Sequence, residues 1–436
     1  GFRGNRMTKE YYFISDLHIG GDEALGVCDY EPELVRFLKE LAVKGGEAEL
    51  IIVGDIFGMW EFTDIKGPEK LQALIDQFPN IFEAFREAGS RITITMLPGN
   101  HDYEIACYPQ FVEIFKQYNI RIEQQPSTVR ELAGKRLWIE HGNQYDDFNQ
   151  MPDFGNPYAL PVGYFITSAM VSGAGKHSQY GRYNWLKDIQ SVYPTEDIPY
   201  WMISNYFYRE MSAWLRWLIL PFLALWELSI LVLVGGALEW LGITQTNIFL
   251  NNGLFASLGY LGNLVQIVII INTIIFLVLA VLFVPIGFII RDLRKTLKRF
   301  RVITRPQDLN IGKEQSYLDA AQAVFDNDPD TVMFIYGHTH DASVRRLGNR
   351  LVINTGTWLK RLVKSPVRFG YLPDIYVPSY FLDYFKITED GGSIIVDFMK
   401  VEKAQPKELG LLQRILVSGK RPKQDESIPA RTVLEF

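Results

Sequence analysis

The sequence predicts an α/β layered domain interrupted by two apolar helices of membrane-spanning length. Two observations carry this reading. Short hydrophobic runs of strand length alternate with helix-like stretches, and five of those runs end in Asp, Asn, Gly or His. From Trp240 to Ile290 there is no Asp, Glu, Lys or Arg, a local contrast hidden by a mean hydropathy near zero.

The length of 436 residues suggests two or three units. A net charge of −6 and a pI near 5.7 give no reason to expect nucleic acid as a partner. Cys28 and Cys107 are too few for a disulfide scaffold and fit a reducing compartment. Gly1 to Met7 reads as sequence ahead of a start near Met7. Without an apolar leader the first domain is expected to stay in the cytoplasm.

The first run, Tyr11-Tyr12-Phe13-Ile14-Ser15, leads into Asp16-Leu17-His18. Alternation along an extended strand would point Asp16 and His18 the same way, and a carboxylate beside an imidazole suits a divalent first-row metal. Helices are expected over Pro32 to Lys44, Pro68 to Ala88 and Tyr108 to Tyr118. Strands are expected over Leu50 to Val53 before Gly54-Asp55, over Arg91 to Leu97 before Gly99-Asn100-His101-Asp102, within Arg121 to Glu131, and over Arg136 to Glu140 before His141. In such sheets a site collects where the strands end at their carboxyl side.

From Asn143 to Tyr208 no simple period holds. Trp185, Tyr193, Tyr200, Trp201, Tyr206, Phe207, Tyr208, Trp214 and Trp217, with Asn184, crowd towards the apolar segments, as at a membrane interface. An aromatic core or dimer contact is the other reading. Leu215 to Trp240 and Leu264 to Ile290 each reach the ~20 apolar residues of a bilayer span; a pair of buried helices is the alternative. The loop between them has no Lys or Arg, whereas Arg291, Arg294, Lys295, Lys298, Arg299, Arg301 and Arg305 follow the second, and Arg209 and Arg216 flank the first. Both flanks are therefore expected in the cytoplasm, which makes this a multi-pass protein of the inner (cytoplasmic) membrane whose catalytic domain faces the cytoplasm. Glu227 stands either for a function within the span or for an interfacial turn near Pro221.

The α/β pattern then resumes with a helix over Glu314 to Phe325 and a strand over Thr331 to Tyr336 before His338 and His340. Hairpins are expected at Ser343 to Ile353 and Tyr380 to Val401. The resulting division is 8–165 for the first part of the domain, 166–300 for the insertion, 301–404 for the second part, and 405–436 for a loosely held tail.

Five of the six histidines fall in these ligand-bearing stretches, and only His177 does not. Two metals roughly 3.5–4 Å apart could hold a phosphate oxygen, generate hydroxide and stabilise in-line displacement. His101 would suit general-acid work, with Asp102 to orient it.

The ordered set Asp16-x-His18, Gly54-Asp55, Gly99-Asn100-His101-Asp102, His141 and Gly337-His338-x-His340 resembles the calcineurin-like metallophosphoesterase superfamily. The resemblance implies a four-layer αββα sandwich of two mixed sheets flanked by helices. It implies that Asp16, His18 and His340 hold one metal, that Asn100, His141 and His338 hold the other, and that Asp55 bridges them. Manganese is the first expectation, with iron or zinc as alternatives. Glu140 departs from the Gly often found before the histidine of that motif. Asp55-Ile56-Phe57-Gly58-Met59-Trp60 resembles the matching stretch of UDP-2,3-diacylglucosamine pyrophosphohydrolases, which cleave a lipid-linked diphosphate at the inner membrane surface. Those commonly carry Arg where this chain has His101, and they lack such a hairpin.

The expectation is a membrane-bound hydrolase of a lipid-linked phosphate ester or diphosphate, with the bilayer as partner. A soluble phosphoester substrate, and a non-catalytic metal-bound scaffold or sensor, are the alternatives. A homo-oligomer is compatible with all of these. Lys176, His177 and Arg182 are candidates for contact with a phosphate or headgroup, as against an ordinary surface loop; no substrate-binding residue is assigned.

Overall fold

Alternate side chains of the first strands serve two different cores, and this organises the fold. In strands β1 (Glu10–Ile14) and β2 (Ala48–Val53), Tyr12, Ile14, Leu50 and Ile52 face the helical layer, while Tyr11, Phe13, Ile51 and Val53 face a second sheet. The computed structural model describes residues 9–180, 185–192, 197–251, 253–299, 313–418 and 427–436. The readings made on Gly1 to Met7, Arg182, Asn184, Tyr193, Arg301 and Arg305 lie outside the described residues.

The larger sheet has the order β14-β13-β12-β1-β2-β3-β4. It adds β3 (Thr93–Leu97), β4 (Arg121–Ile122), β12 (Leu382–Asp390), β13 (Ser393–Val401) and β14 (Arg431–Leu434). β1 to β4 are parallel, and β12 joins β1 antiparallel. The second sheet, β5-β6-β7-β9-β8, consists of β5 (Ser127–Leu132), β6 (Lys135–Glu140), β7 (Thr331–Tyr336), β8 (Ser343–Leu347) and β9 (Arg350–Asn354). β6, β7 and β9 are parallel, with antiparallel edges at β5 and β8. Both sheets are mixed. Helices 31–44, 69–77, 79–89 and 109–116 cover one outer face through Leu34, Leu74, Phe85 and Phe111. Helix 314–327 covers the other through Tyr317 and Phe325.

Several elements differ from expectation. The single helix foreseen over Pro68 to Ala88 is two helices, broken at Phe78 because Pro79 opens the second. The aperiodic stretch contains helices 162–178 and 198–205. The aromatics divide: Trp185, Trp201, Phe207 and Tyr208 are buried in local cores, whereas Tyr200, Tyr206, Trp214 and Trp217 are exposed. The first apolar segment runs as helices 213–224 and 226–240 with a break at Leu225, four residues after Pro221. The second runs unbroken from Gly259 to Arg299. Over Ala213–Trp240 and Gly259–Thr296 the two are long and apolar enough to cross a membrane, by length and composition. Glu227 is exposed in the first turn after the break, while Glu239 is buried and accepts the backbone N–H groups of Ile248, Phe249 and Leu250.

The loosely held tail is also corrected. Leu412 and Leu416 of helix 411–416 pack against Ile375 and Val377, and β14 extends the larger sheet along β13 from Asp397 to Ile394. Leu434 is 2% exposed and belongs to the core between the sheets. Leu434→Ala is expected to cost about 2–5 kcal/mol of stability, measured by chemical denaturation in detergent. A freely moving tail would leave the denaturation midpoint unchanged.

Candidate metal centre

Every ligand-type residue found in the sequence follows the carboxyl end of a parallel strand. Asp16 and His18 follow β1, Asp55 follows β2, Asn100 follows β3, His141 follows β6, and His338 and His340 follow β7. Asp16 and His18 do not lie on β1, which ends at Ile14, so strand alternation is not what brings them together. Asp16 (φ 54°), His18 (46°), Asp55 (52°), His338 (68°) and His340 (59°) all adopt left-handed backbone. Each such residue costs of order 1–3 kcal/mol and persists only where its surroundings enforce it. The tight turns bring side chains from different strands inwards over one spot. A Cβ on Gly99 would overlap the Asp55 carboxylate, so glycine is required there.

The side chains form two groups that share a member. His18 Nε2 lies 3.0 Å from His340 Nε2, and Asp16 Oδ1 lies 3.3 Å from His340 Nε2. Asn100 Oδ1 lies 3.1 Å from His141 Nε2 and 3.0 Å from His338 Nδ1. Asp55 Oδ2 stands between the groups, 3.7 Å from His18 Nε2 and 3.2 Å from His141 Nε2. The structure thus brings together all seven side chains expected to bind metal.

The donor set fits divalent cations. Asp16 and Asp55 are 0% and 1% exposed, and Asp16 Oδ1 is buried without a hydrogen-bond partner. Asp16, His18 and His340 offer ligand atoms within 4.8 Å of one another, as do Asp55, His141 and His338. Burial by itself would raise the Asp55 carboxyl, but the charges of His141, His101 and His18 hold it well below its ordinary value. The His141 ring places Nδ1 2.8 Å from the Val53 carbonyl, to which it donates, leaving Nε2 to face Asn100 and Asp55.

Asp102 does not orient His101. Its carboxylate accepts the backbone N–H groups of Ile56 at 2.7 Å and Gly99 at 2.6 Å, with those of Asp55 and Phe57 at 3.3 Å. It ties the loop after β2 to the loop after β3. Burial and the neighbouring Asp55 charge push its carboxyl up to about 7, against the lowering effect of those N–H donors. The partner of His101 is Glu61, whose Oε1 lies 2.7 Å from His101 Nδ1. The His101 ring lies over Trp60 at 4.8 Å and meets His18 edge-on at 4.6 Å. Burial lowers the His101 pKa, but Glu61 and Asp55 outweigh it and raise it to about 9.

Sequence reasoning also missed Asp146. Its Oδ2 lies 2.9 Å from His338 Nε2, on the side of the ring away from Asn100. Burial would raise this carboxyl, yet the bond to His338 holds it below its ordinary range. An acid a few residues after His141 was the available signal. Glu140 bonds Trp138 Nε1 at 3.0 Å and is buried away from the ligands, so the departure at this position leaves His141 in place. Lys176 is paired with Asp64 at 3.0 Å and Asp22 at 3.5 Å, and His177 is exposed on helix 162–178, so neither meets the centre.

Residues 10–213 match the calcineurin-like phosphoesterase family. The match covers Asp16 to His141 and ends before His338 and His340, which the fold brings back to the same place. Among curated proteins, the DNA polymerase II small subunit of Methanothermobacter thermautotrophicus is 29% identical over 153 residues, covering 31% of this chain and 30% of that protein. That of Pyrococcus furiosus is 29% identical over 157 residues, covering 31% of this chain and 24% of that protein. The chain thus spans less than a third of the length of these relatives. Among solved structures, a phosphopantetheinyl hydrolase from Mycobacterium tuberculosis aligns over 85% of this chain and 96% of its own at 10% identity and a TM-score of 0.27. A conserved uncharacterized protein of Streptococcus pneumoniae, described as a predicted phosphoesterase, aligns over 92% and 95% at 10% identity and a TM-score of 0.28. The family match, residues 10–213 of 436, takes in just under half of the chain.

Because Asp146 fixes the His338 ring, Asp146→Asn is expected to weaken metal binding about 10–100-fold, read by calorimetric titration of the metal-free protein with Mn2+. Unchanged affinity would show that His338 needs no partner behind it.

Proposed function

We propose that this calcineurin-like phosphoesterase domain works at a bilayer surface and hydrolyses a phosphate ester or diphosphate bond of a lipid-linked substrate. The observation that carries the reading is the place of the insertion. Two apolar helices of spanning length interrupt the chain between His141 and His338, residues whose rings meet at 5.3 Å. A domain whose ligands flank such a hairpin stays close to the membrane that holds it. The basic run that starts in the last turns of the second helix, beginning at Arg291, supports a cytoplasmic location at the inner membrane, and anionic headgroups attract each such cation by about 1 kcal/mol.

In this reading Asp16, His18 and His340 would hold one divalent cation and Asn100, His141 and His338 the other, with Asp55 placed between the two groups. Mn2+ is the first choice, with Fe or Zn as alternatives. When bound, the two cations supply Lewis-acid charge to phosphoryl oxygens and lower the pKa of water. The chain's own part is positioning and proton transfer. His101, its Nδ1 taken by Glu61, keeps Nε2 for the leaving oxygen of the substrate. Asp102 fixes the loops that carry Asp55 and Asn100.

The DNA polymerase II small subunits bring forward nucleic acid as another class of phosphodiester. The net charge of −6 favours the lipid-linked reading, so no cleavage of single-stranded DNA is expected.

The protein with Mn2+ is expected to turn over a chromogenic phosphomonoester or phosphodiester, and Asp55→Ala to abolish this. Turnover surviving Asp55→Ala would remove the proposed centre and leave a metal-bound scaffold. Leu215 and Leu223 pack against the catalytic domain, so the informative shortened variant keeps residues 213–224 and replaces 226–290 by a linker. It should retain turnover of the soluble chromogen and lose turnover of lipid extract in vesicles. Full activity on the lipid would point to an anchored enzyme with a soluble substrate.

The His101–Glu61 pair generates a pH prediction. Glu61 raises the His101 pKa, so the acid form persists to higher pH than in an unpaired imidazole and activity falls as pH rises through the His101 pKa. Glu61→Gln removes the raising charge and is expected to move the alkaline limb of kcat/KM down by about 1–3 pH units. An unmoved limb would exclude His101 as the acid.

A further inference from the structure

A second segment, far from the hairpin in sequence, packs against the first apolar helix. Strand β10 (Arg361–Ser365) and strand β11 (Ile375–Ser379) form a separate antiparallel pair. The turn between them reads Pro366-Val367-Arg368-Phe369-Gly370-Tyr371-Leu372-Pro373. The Tyr371 N–H donates to the Leu223 carbonyl at 2.8 Å, and the Tyr371 ring lies 6.3 Å from that of Trp226. Gly370, at φ +60°, lies so close to Leu223 and Ala224 that a Cβ there would overlap their backbone.

Helix lengths set the depth of this contact. Helix 226–240 has 15 residues and extends about 22 Å, short of the ~30 Å hydrocarbon layer. To complete a span the layer must take in roughly five more residues before the break at Leu225. Leu223 and Ala224 are among them, so whatever touches those two residues lies at the inner edge of the hydrocarbon.

We infer that the 366–373 turn is a membrane foot, immersed among lipid acyl chains beside the first span, with Arg368 at the level of anionic headgroups. This rests on the bilayer reading proposed above and adds a lipid-contacting surface to the catalytic half of the chain. Phe369 is 58% exposed and Tyr371 is 70% exposed, although Val367 and Leu372 of the same turn pack with Ile219 and Leu223. Part of the turn's backbone is satisfied internally, as polar groups beside hydrocarbon need to be. The Val367 N–H bonds Asp374 Oδ1 at 3.2 Å, the Tyr371 N–H is taken by Leu223, and the Pro373 carbonyl accepts the Tyr208 hydroxyl at 2.8 Å. The two prolines contribute no N–H. Helix 411–416 continues the surface, packing the half-buried Leu412 and Leu416 against the same cluster and exposing Leu411 and Ile415. The foot is joined to the metal centre: β10 follows directly on the loop in which Thr357 Oγ1 donates to the Asp16 carbonyl at 2.6 Å. Seating the turn in lipid therefore holds the centre near the headgroups, where the phosphate of a lipid-linked substrate lies.

The test uses the full chain in vesicles of phosphatidylcholine and phosphatidylglycerol with brominated acyl chains. Cys28 and Cys107 are replaced by Ser, and an environment-sensitive fluorophore is placed in turn through F369C, V281C and V43C. Retained turnover of the soluble chromogen shows that each variant is folded. Loss of emission at 369 and 281, with none at 43, is expected. Quenching at 281 but not at 369 would overturn the foot and leave the bilayer reading intact; quenching at neither would overturn both. A disulfide between copies of the unlabelled F369C variant, with no lipid quenching of the labelled one, would assign the surface to a second copy and also overturn the proposal. In a second measurement, F369S/Y371S should keep chromogen turnover and lose turnover of lipid extract in vesicles; unchanged turnover of lipid would remove the foot's part in presenting substrate.

Discussion

Two buried carboxylates surrounded by imidazoles set the terms for the rest of the molecule. Asp16 and Asp55 are withdrawn from water at the point where four parallel strands end, with His18, His141, His338 and His340 around them. Isolated buried carboxylates would be prohibitively unfavourable, so positive charge must meet them. Convergent imidazole nitrogens only 3.0 Å apart at His18 and His340, beside an oxygen of Asp16 that lacks a donor, describe a place for cations. The left-handed backbone at five ligands is compatible with this need, since coordination can return more than the local strain costs.

Those strained turns are held by groups that never face a metal. Asp102 ties two ligand loops through backbone N–H bonds, and Ser15 and Thr357 tie the β1 turn to the loop after β9. Asp146 and Glu61 hold His338 and His101 from behind. A carboxylate on the outer nitrogen of an imidazole fixes both its orientation and its proton, and so decides which nitrogen faces inwards. The centre is therefore a product of the loops after five strands rather than of one motif.

The insertion is integrated with this domain rather than tethered to it. Ser172 of helix 162–178 donates to Asp22 in the loop after the first ligand pair, and the base of the first apolar helix packs on β11 and on helix 411–416. Motion of the apolar hairpin relative to the catalytic layers is thereby restricted on two sides. The elements that make the contact come from both ends of the chain.

Most of the layered fold and all seven ligand-type side chains were legible from residue pattern, because strand periodicity and the rarity of histidine are local properties. Local pattern also located the two apolar helices. It could not show that Asp16 and His18 converge through left-handed turns, since alternation along a strand gives the same list by a different geometry. Glu61, Asp146 and the true role of Asp102 were invisible for a similar reason: a carboxylate is assigned by what it touches across 40 or more positions, as Glu61 touches His101 and Asp146 touches His338. The division of the aromatics into core and surface, the pairing of β14 on β13, and the seat of the 366–373 turn on Leu223 are likewise contacts between distant segments. By itself the sequence determined most of the strands and helices and the list of seven ligand-type side chains. Tertiary structure alone decided who orients whom, because packing and hydrogen bonding between distant segments are not encoded in any local period.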